Sequence, residues 1–184
     1  MGIGSQVSQR RAVFLDRDGV INEAVVIDGK PYPPSGLSEL KILPGVAEAI
    51  NHLHQEGWLL IVVTNQPDVA RGITKRETVE EINQFLLNQF PFECVLTCYH
   101  DTNDKCDCRK PKPGFLLQSQ QRYGIDLSAS YMVGDRWRDI EAGASAECKT
   151  IFIDYGYNER QPTNYTYRVN DLLEASKIIV SNHS

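Results

Sequence analysis

No apolar run in the 184-residue chain is long enough to cross a membrane, since a spanning helix needs about 20 consecutive apolar residues. The N-terminus lacks the charged-then-apolar order of a signal peptide, so the expected location is the cytoplasm. Cations are not in surplus: 19 Lys and Arg stand against 24 Asp and Glu, a net charge of −5. Tracking a phosphate backbone wants a basic face, so nucleic acid is not an expected partner. Repeats, low-complexity tracts and obvious linkers are missing, and nothing demands a second copy, so a monomer is expected. The five cysteines form an odd set without an export signal, which argues against a disulfide framework. Cys94, Cys98, Cys106 and Cys108 crowd together, which suggests a metal instead.

What is present is ordinary for a globular protein: 41% apolar and 23% charged residues. The length suits one domain, expected over residues 12–180, behind a polar, mobile tail at 1–11. Buried strands are expected at 12–16, 58–64, 93–99, 130–134 and 150–154. Helices are expected from Pro44 to Glu56, from a Thr74 cap to Asn88, and over 114–123, 139–146 and 171–180. The Pro- and Gly-rich stretch 25–43 reads as a long loop, and 100–113 as a cysteine-rich one. Strands alternating with helices predict an α/β fold: a Rossmann-like, doubly wound parallel sheet with helices on both faces.

Residues 13–22 read Val-Phe-Leu-Asp-Arg-Asp-Gly-Val-Ile-Asn. An apolar strand delivers Asp16 and Asp18, two apart and so on one side of an extended segment. Asp-Gly is also a common turn pair, which is the bland reading. Like charges that close repel, and a divalent cation such as Mg²⁺ would relieve them. Three more strand ends carry reactive types: Thr64-Asn65-Gln66, the Arg109-Lys110-Pro-Lys-Pro-Gly segment, and Asp135 with Asp139 beyond it. In a parallel α/β sheet these ends meet on one edge. Carboxylates, a hydroxyl, backbone N–H groups and a fixed cation suit phosphoryl transfer.

These four segments, in this order, resemble the motifs of the haloacid dehalogenase (HAD) superfamily of phosphatases over about residues 12 to 155. The resemblance implies that Asp16 is the nucleophile and forms an aspartyl-phosphate. It implies that Asp18 protonates the leaving alcohol and then deprotonates water. Thr64 and the Asn65 N–H would hold phosphate oxygens, and Lys110 would neutralise Asp16 and the transferring group. Asp16, the Asp18 carbonyl and Asp135 would hold Mg²⁺, with Asp139 orienting Lys110 or capping a helix. Gln66 and Arg71 join Asn65 as expected substrate-binding residues. Lys112 reads as solvated, Arg136 and Arg138 as surface or phosphate-binding residues, and Trp137 as pocket wall or packing.

Cys98-Tyr-His100 followed by Cys106-Asp-Cys108 offers three thiolates and an imidazole, a set that suits a closed, structural tetrahedral Zn²⁺. Cys94 and Cys148 read as core thiols. The zinc loop, leading straight into Arg109 and Lys110, resembles the subgroup without a cap domain that holds heptose-bisphosphate and histidinol-phosphate phosphatases. Asp-Arg-Asp-Gly-Val-Ile-Asn, Thr-Asn-Gln before Ala-Arg-Gly at 70–72, and Lys-Pro-Lys-Pro-Gly at 110–114 favour the former. Pro67-Asp68 departs from the usual Ser-Gly, and the 25–43 loop matches no family pattern. The expected activity is Mg²⁺-dependent hydrolysis of a small phosphorylated metabolite, foremost a sugar bisphosphate, with Arg109 gripping a second anionic group. Histidinol phosphate, a nucleic-acid 3′-phosphate, or a non-catalytic zinc-stapled binding module are the alternatives.

Overall fold

The computed structural model describes residues 10–183, so all of the expected tail but Arg10 and Arg11 lies outside them. Those two residues are not part of a loose tail. Arg10 pairs with Ile125, donating to the Gly124 carbonyl and accepting from Asp126.

The chain runs β1 (Ala12–Leu15), β2 (Val25–Ile27), β3 (Lys30–Tyr32), α1 (Val46–Gln55), β4 (Leu59–Asn65), α2 (Arg76–Gln89) and β5 (Cys94–Cys98). It continues α3 (Gly114–Tyr123), β6 (Tyr131–Gly134), α4 (Trp137–Ser145), β7 (Lys149–Ile153), β8 (Tyr167–Val169) and α5 (Leu172–Ser181). Six strands form one sheet in the order β5-β4-β1-β6-β7-β8, and every pairing in it is parallel.

β1 is apolar on both faces because it lies between two layers of helix. Val13 and Leu15 face a core shared with α1, α2 and α5. Ala12 and Phe14 face a second core with Leu116 of α3, and α4 packs on the same side, where a side chain at Gly143 would strike Met132 and Thr150. This is the expected doubly wound α/β architecture.

The chain runs from β1 outward through β4 and β5, then returns to β6 and runs outward the other way. β1 is therefore the switch point, and the crevice at its carboxyl end is where open α/β sheets bind ligands. Register makes the crevice compact: Leu15 pairs with Val62 of β4 and Val133 of β6, so the residues that follow all three strands converge.

Several expectations are corrected. The stretch 25–43 is not all loop: β2 and β3 pair antiparallel, and a 3₁₀ turn follows at Leu37–Glu39. Lys75, not Thr74, stands at the N-cap of α2, without a side-chain cap bond. α4 begins at Trp137, which puts Asp139 at its third position instead of at its cap. The edge strand β8 carries Tyr-Arg-Val, too short for its pattern to register. Asp171, expected as the first residue of the last helix, is the N-cap of α5 and accepts from the Glu174 N–H at 2.7 Å.

Candidate active site

Asp16 follows β1 directly and is 7% exposed. Lys110 Nζ donates to Asp16 Oδ1 at 2.7 Å, to Asp139 Oδ1 at 2.7 Å and to the Val63 carbonyl at 2.6 Å. That uses all three ammonium protons. Burial alone would lower the Lys110 pKa, but Asp139 and Asp16 outweigh it and raise it. Asn65 fixes the lysine's backbone from both sides: its Nδ2 donates to the Lys110 carbonyl at 2.9 Å, and its Oδ1 accepts the Lys110 N–H at 3.1 Å.

Asp135 follows β6 and is wholly buried, yet among the described residues neither of its oxygens has a hydrogen-bond partner of ordinary geometry, and the nearby Tyr157 hydroxyl only moderates the cost. Burying an unpaired carboxylate is costly. Burial, then the charges of Asp16 and Asp139, hold its pKa well above the usual range. Burial and Asp139 likewise push Asp16 up to about 6. Ligand atoms of Asp16, Asp135 and Asp139 lie within 4.8 Å of one another. Three carboxylates against one ammonium leave room for a divalent cation, and the orphaned Asp135 oxygens aim it. Asp139 has less to offer, because Lys110 takes its Oδ1 and the Arg136 N–H takes its Oδ2 at 3.0 Å. Two glycines permit this crowding: a side chain at Gly19 would strike the Asp135 carboxylate, and one at Gly134 would strike Asp139.

These shifts set a sign. A carboxyl whose folded pKa is raised weakens the fold above that pKa, and stability returns as pH falls towards the unfolded value near 3.8. In magnesium-free buffer the melting temperature is therefore expected to rise between pH 7.5 and pH 5.5. The gain is about 3 °C for each kcal/mol recovered. Asp135→Asn should flatten the rise, and added Mg²⁺ should erase it by stabilising the neutral-pH protein. A melting temperature that falls over this interval would contradict the assignment.

Asp18 lines the same cleft, its side chain 14% exposed. Its carboxylate accepts from Asn22 Nδ2 at 2.9 Å, from Gln66 Nε2 at 2.7 Å, and from the Arg17 guanidinium. Thr64, 1% exposed, also lines the cleft, and its hydroxyl accepts from Gln66 Nε2 at 2.9 Å. Asn65, Arg109, Arg136 and Arg138 form further parts of the wall, with Tyr32 and Pro33 from the β2–β3 hairpin opposite.

Two expected substrate contacts lie elsewhere. Gln66 is fully buried behind Asp18 and Thr64, because the chain turns inward after β4. Arg71 points at the cysteine loop, donating to both Asp101 oxygens at 2.9 and 2.6 Å and to Asp68 at 3.2 Å. Lys112 is half-exposed and braces that loop through the Cys106 carbonyl at 2.6 Å. Arg136 is held by Glu159, while the guanidinium groups of Arg138 and Arg160 both lie over the Trp137 ring. Arg17 and Asn22, for which no role was expected, both donate to Asp18. An arginine between two carboxylates in an apolar setting was the available signal.

The cysteine loop brings its four expected ligands together. Cys98 Sγ lies 3.6 Å from His100 Nδ1, 3.9 Å from Cys106 Sγ and 3.3 Å from Cys108 Sγ, and Cys108 Sγ lies 3.4 Å from His100 Nδ1. Metal–ligand bonds of about 2.3 Å to sulfur and 2.0 Å to nitrogen give tetrahedral edges of roughly 3.5–3.8 Å. The donor set and its spacing therefore fit a four-coordinate metal. Arg109 is tied in through the His100 carbonyl at 3.1 Å. Of the other two cysteines, Cys148 is buried, whereas Cys94 is only partly so.

A parallel α/β sheet whose switch point gathers these carboxylates around one lysine defines a phosphoryl-transfer hydrolase of the HAD type. The chain belongs to the HAD-like hydrolase family and is a phosphatase. A family profile described as HAD-hydrolase-like matches residues 107–175. The chain is 37% identical over 156 residues to the D-glycero-β-D-manno-heptose-1,7-bisphosphate 7-phosphatase of Pseudomonas aeruginosa, covering 82% of this chain and 85% of that one. The enzyme of the same name from Helicobacter pylori is 34% identical over 153 residues, covering 80% and 85%. Among solved structures, the D,D-heptose 1,7-bisphosphate phosphatase of B. bronchiseptica, complexed with magnesium and phosphate, superposes with a TM-score of 0.75. It is 28% identical, and the match covers 94% of this chain and 99% of that one.

Proposed function

We propose that this phosphatase removes one phosphoryl group from a small sugar bisphosphate, a heptose 1,7-bisphosphate foremost, through an aspartyl-phosphate on Asp16. The observation that carries the chemistry is the buried Asp16–Lys110–Asp139 chain beside the unpartnered Asp135. Asp16 attacks phosphorus; its new P–O bond forms as the bond to the sugar oxygen breaks. Asp18 gives its proton to that oxygen. In the second half, Asp18 takes a proton from the water that attacks the phosphoryl group, and Asp16 and phosphate are released. Thr64 and the Asn65 N–H bind the phosphoryl oxygens, and Lys110 balances charge on Asp16. Asp16, Asp135 and the Asp18 carbonyl would hold Mg²⁺, which when bound offsets the charge of the transferring group. Zn²⁺ on Cys98, His100, Cys106 and Cys108 would order the loop that delivers Arg109 and Lys110.

The bisphosphate reading also rests on the cleft wall. Among the described residues neither Arg109 nor Arg138 has a carboxylate partner, so both guanidinium groups remain available to a second phosphate. The names of the relatives support a sugar bisphosphate over histidinol phosphate, a nucleic-acid end or a non-catalytic module. The thiol-rich loop suits a reducing cytoplasm; a monomer suffices for the site. Phosphate release should be compared for heptose 1,7-bisphosphate, histidinol phosphate and a 3′-phosphorylated oligonucleotide. The expected result is a kcat/KM at least about 100-fold higher for the bisphosphate; a preference for histidinol phosphate overturns the substrate assignment.

A further inference from the structure

Arg17 lies between the two motif carboxylates, where alternation turns its side chain away from both in an extended segment. The structure instead folds it back onto Asp18 and buries it completely, among the largest wholly buried side chains. A buried guanidinium is tolerated only when paired and hydrogen-bonded. Its Nε and Nη2 donate to Asp18 at 3.1–3.2 Å, and its Nη1 donates to Asn83 Oδ1 at 2.9 Å. Asn83, on α2 and itself buried, donates in turn to Thr97 Oγ1 of β5 at 3.0 Å. Among the described residues Asp18 is the sole carboxylate on Arg17. Asp18 is thus tied through one guanidinium to a helix and a strand outside the lining of the cleft. Lysine could not replace this fork, because it lacks the planar array that reaches a carboxylate and an amide at once.

We infer that Arg17 is a positioning residue for proton transfer: anchored on Asn83, it aims the Asp18 carboxyl group at the oxygen of the departing alcohol. This rests on the reading of Asp18 as the proton shuttle. In that step the P–O bond breaks, the electron pair stays on the departing oxygen, and the Asp18 proton goes to it. A strongly basic alkoxide needs this proton. The weakly basic p-nitrophenolate leaves with little help. Misaiming Asp18 therefore harms alkyl esters selectively, which a general loss of packing would not do.

The test measures kcat and KM of Arg17→Lys, Asn83→Ala and the Asp18→Asn benchmark on p-nitrophenyl phosphate and glycerol 1-phosphate, with folding checked by circular dichroism. For Arg17→Lys, kcat/KM, which reports only the half-reaction through departure of the alcohol, is expected to fall at least about tenfold further on the alkyl ester than on the aryl ester. Asn83→Ala should show the same bias to a smaller degree, and it carries the test should Arg17→Lys fail to fold. Equal losses on both esters, or no loss, overturn the inference. An Asp18→Asn enzyme without the bias overturns the shuttle reading itself; a biased Asp18→Asn beside an unbiased Arg17→Lys overturns only the role of Arg17.

Discussion

Asp16→Asn is expected to lower phosphate release by at least about 10⁴-fold, the scale seen when a covalent nucleophile is removed, without lowering stability. The substitution keeps the shape of the side chain but removes the attacking carboxylate. The remaining donors and charges can still bind substrate, so binding should survive better than turnover. Stability should move the other way, because Asp16 is a buried carboxylate crowded by Asp139, with its pKa pushed up to about 6. Removing that charge relieves repulsion with Asp135 as well. Lys110 keeps Asp139 and the Val63 carbonyl, so the ammonium is not left unpaired. A steady-state assay with a chromogenic ester and a thermal melt in magnesium-free buffer check both halves. Residual turnover above about one per cent of wild type, an estimate well over the residual expected without a nucleophile, removes Asp16 from the role.

Cys108→Ser is expected to abolish binding of the metal proposed for the loop and reduce kcat/KM at least about 100-fold, while the sheet stays folded. A substitution one step further from a metal already costs about 10–100-fold, so loss of a ligand should reach the top of that range. Residues 100–109 are exposed or only partly buried, so this segment has little core of its own to order it. Cys108 sits next to Arg109, and Lys110 follows at once. Once the loop loosens, only the Asn65 clamp and the buried contacts of Nζ hold the lysine. The six-stranded sheet makes none of its pairings through this loop, so far-UV circular dichroism should change little. Metal content by mass spectrometry and kcat/KM are the readouts. Wild-type activity in metal-free Cys108→Ser protein defeats the idea that the loop positions the site.

The site was legible wherever a strand pointed at it. Asp16, Thr64 and Asp135 follow or end apolar runs, and parallel strands in register must bring such ends together, whereas Lys110 arrives at the end of the cysteine loop that follows β5. The four metal-type ligands were legible because Cys-x-His and Cys-x-Cys spacing is local. Gln66 and Arg71 lie outside the cleft lining for a shared reason. They follow β4 in a turn whose direction is set by tertiary bonds, to Asp18 for the one and to Asp101 for the other. Neither partner is near in sequence. The β2–β3 hairpin was missed because Pro31 and the short strands mask the alternation.

From the residues alone came the alternation of strands and helices, the chemistry at the strand ends and the clustered donors of the cysteine loop, since each depends on patterns spanning a few residues. Which side chains reach the reacting phosphate was left to the tertiary structure. Only there does one buried lysine find three acceptors while the Asp135 oxygens are left without a regular donor. Only there does Arg17 turn back onto Asp18, because the cost of burying a charge depends on partners that the chain brings in from distant elements.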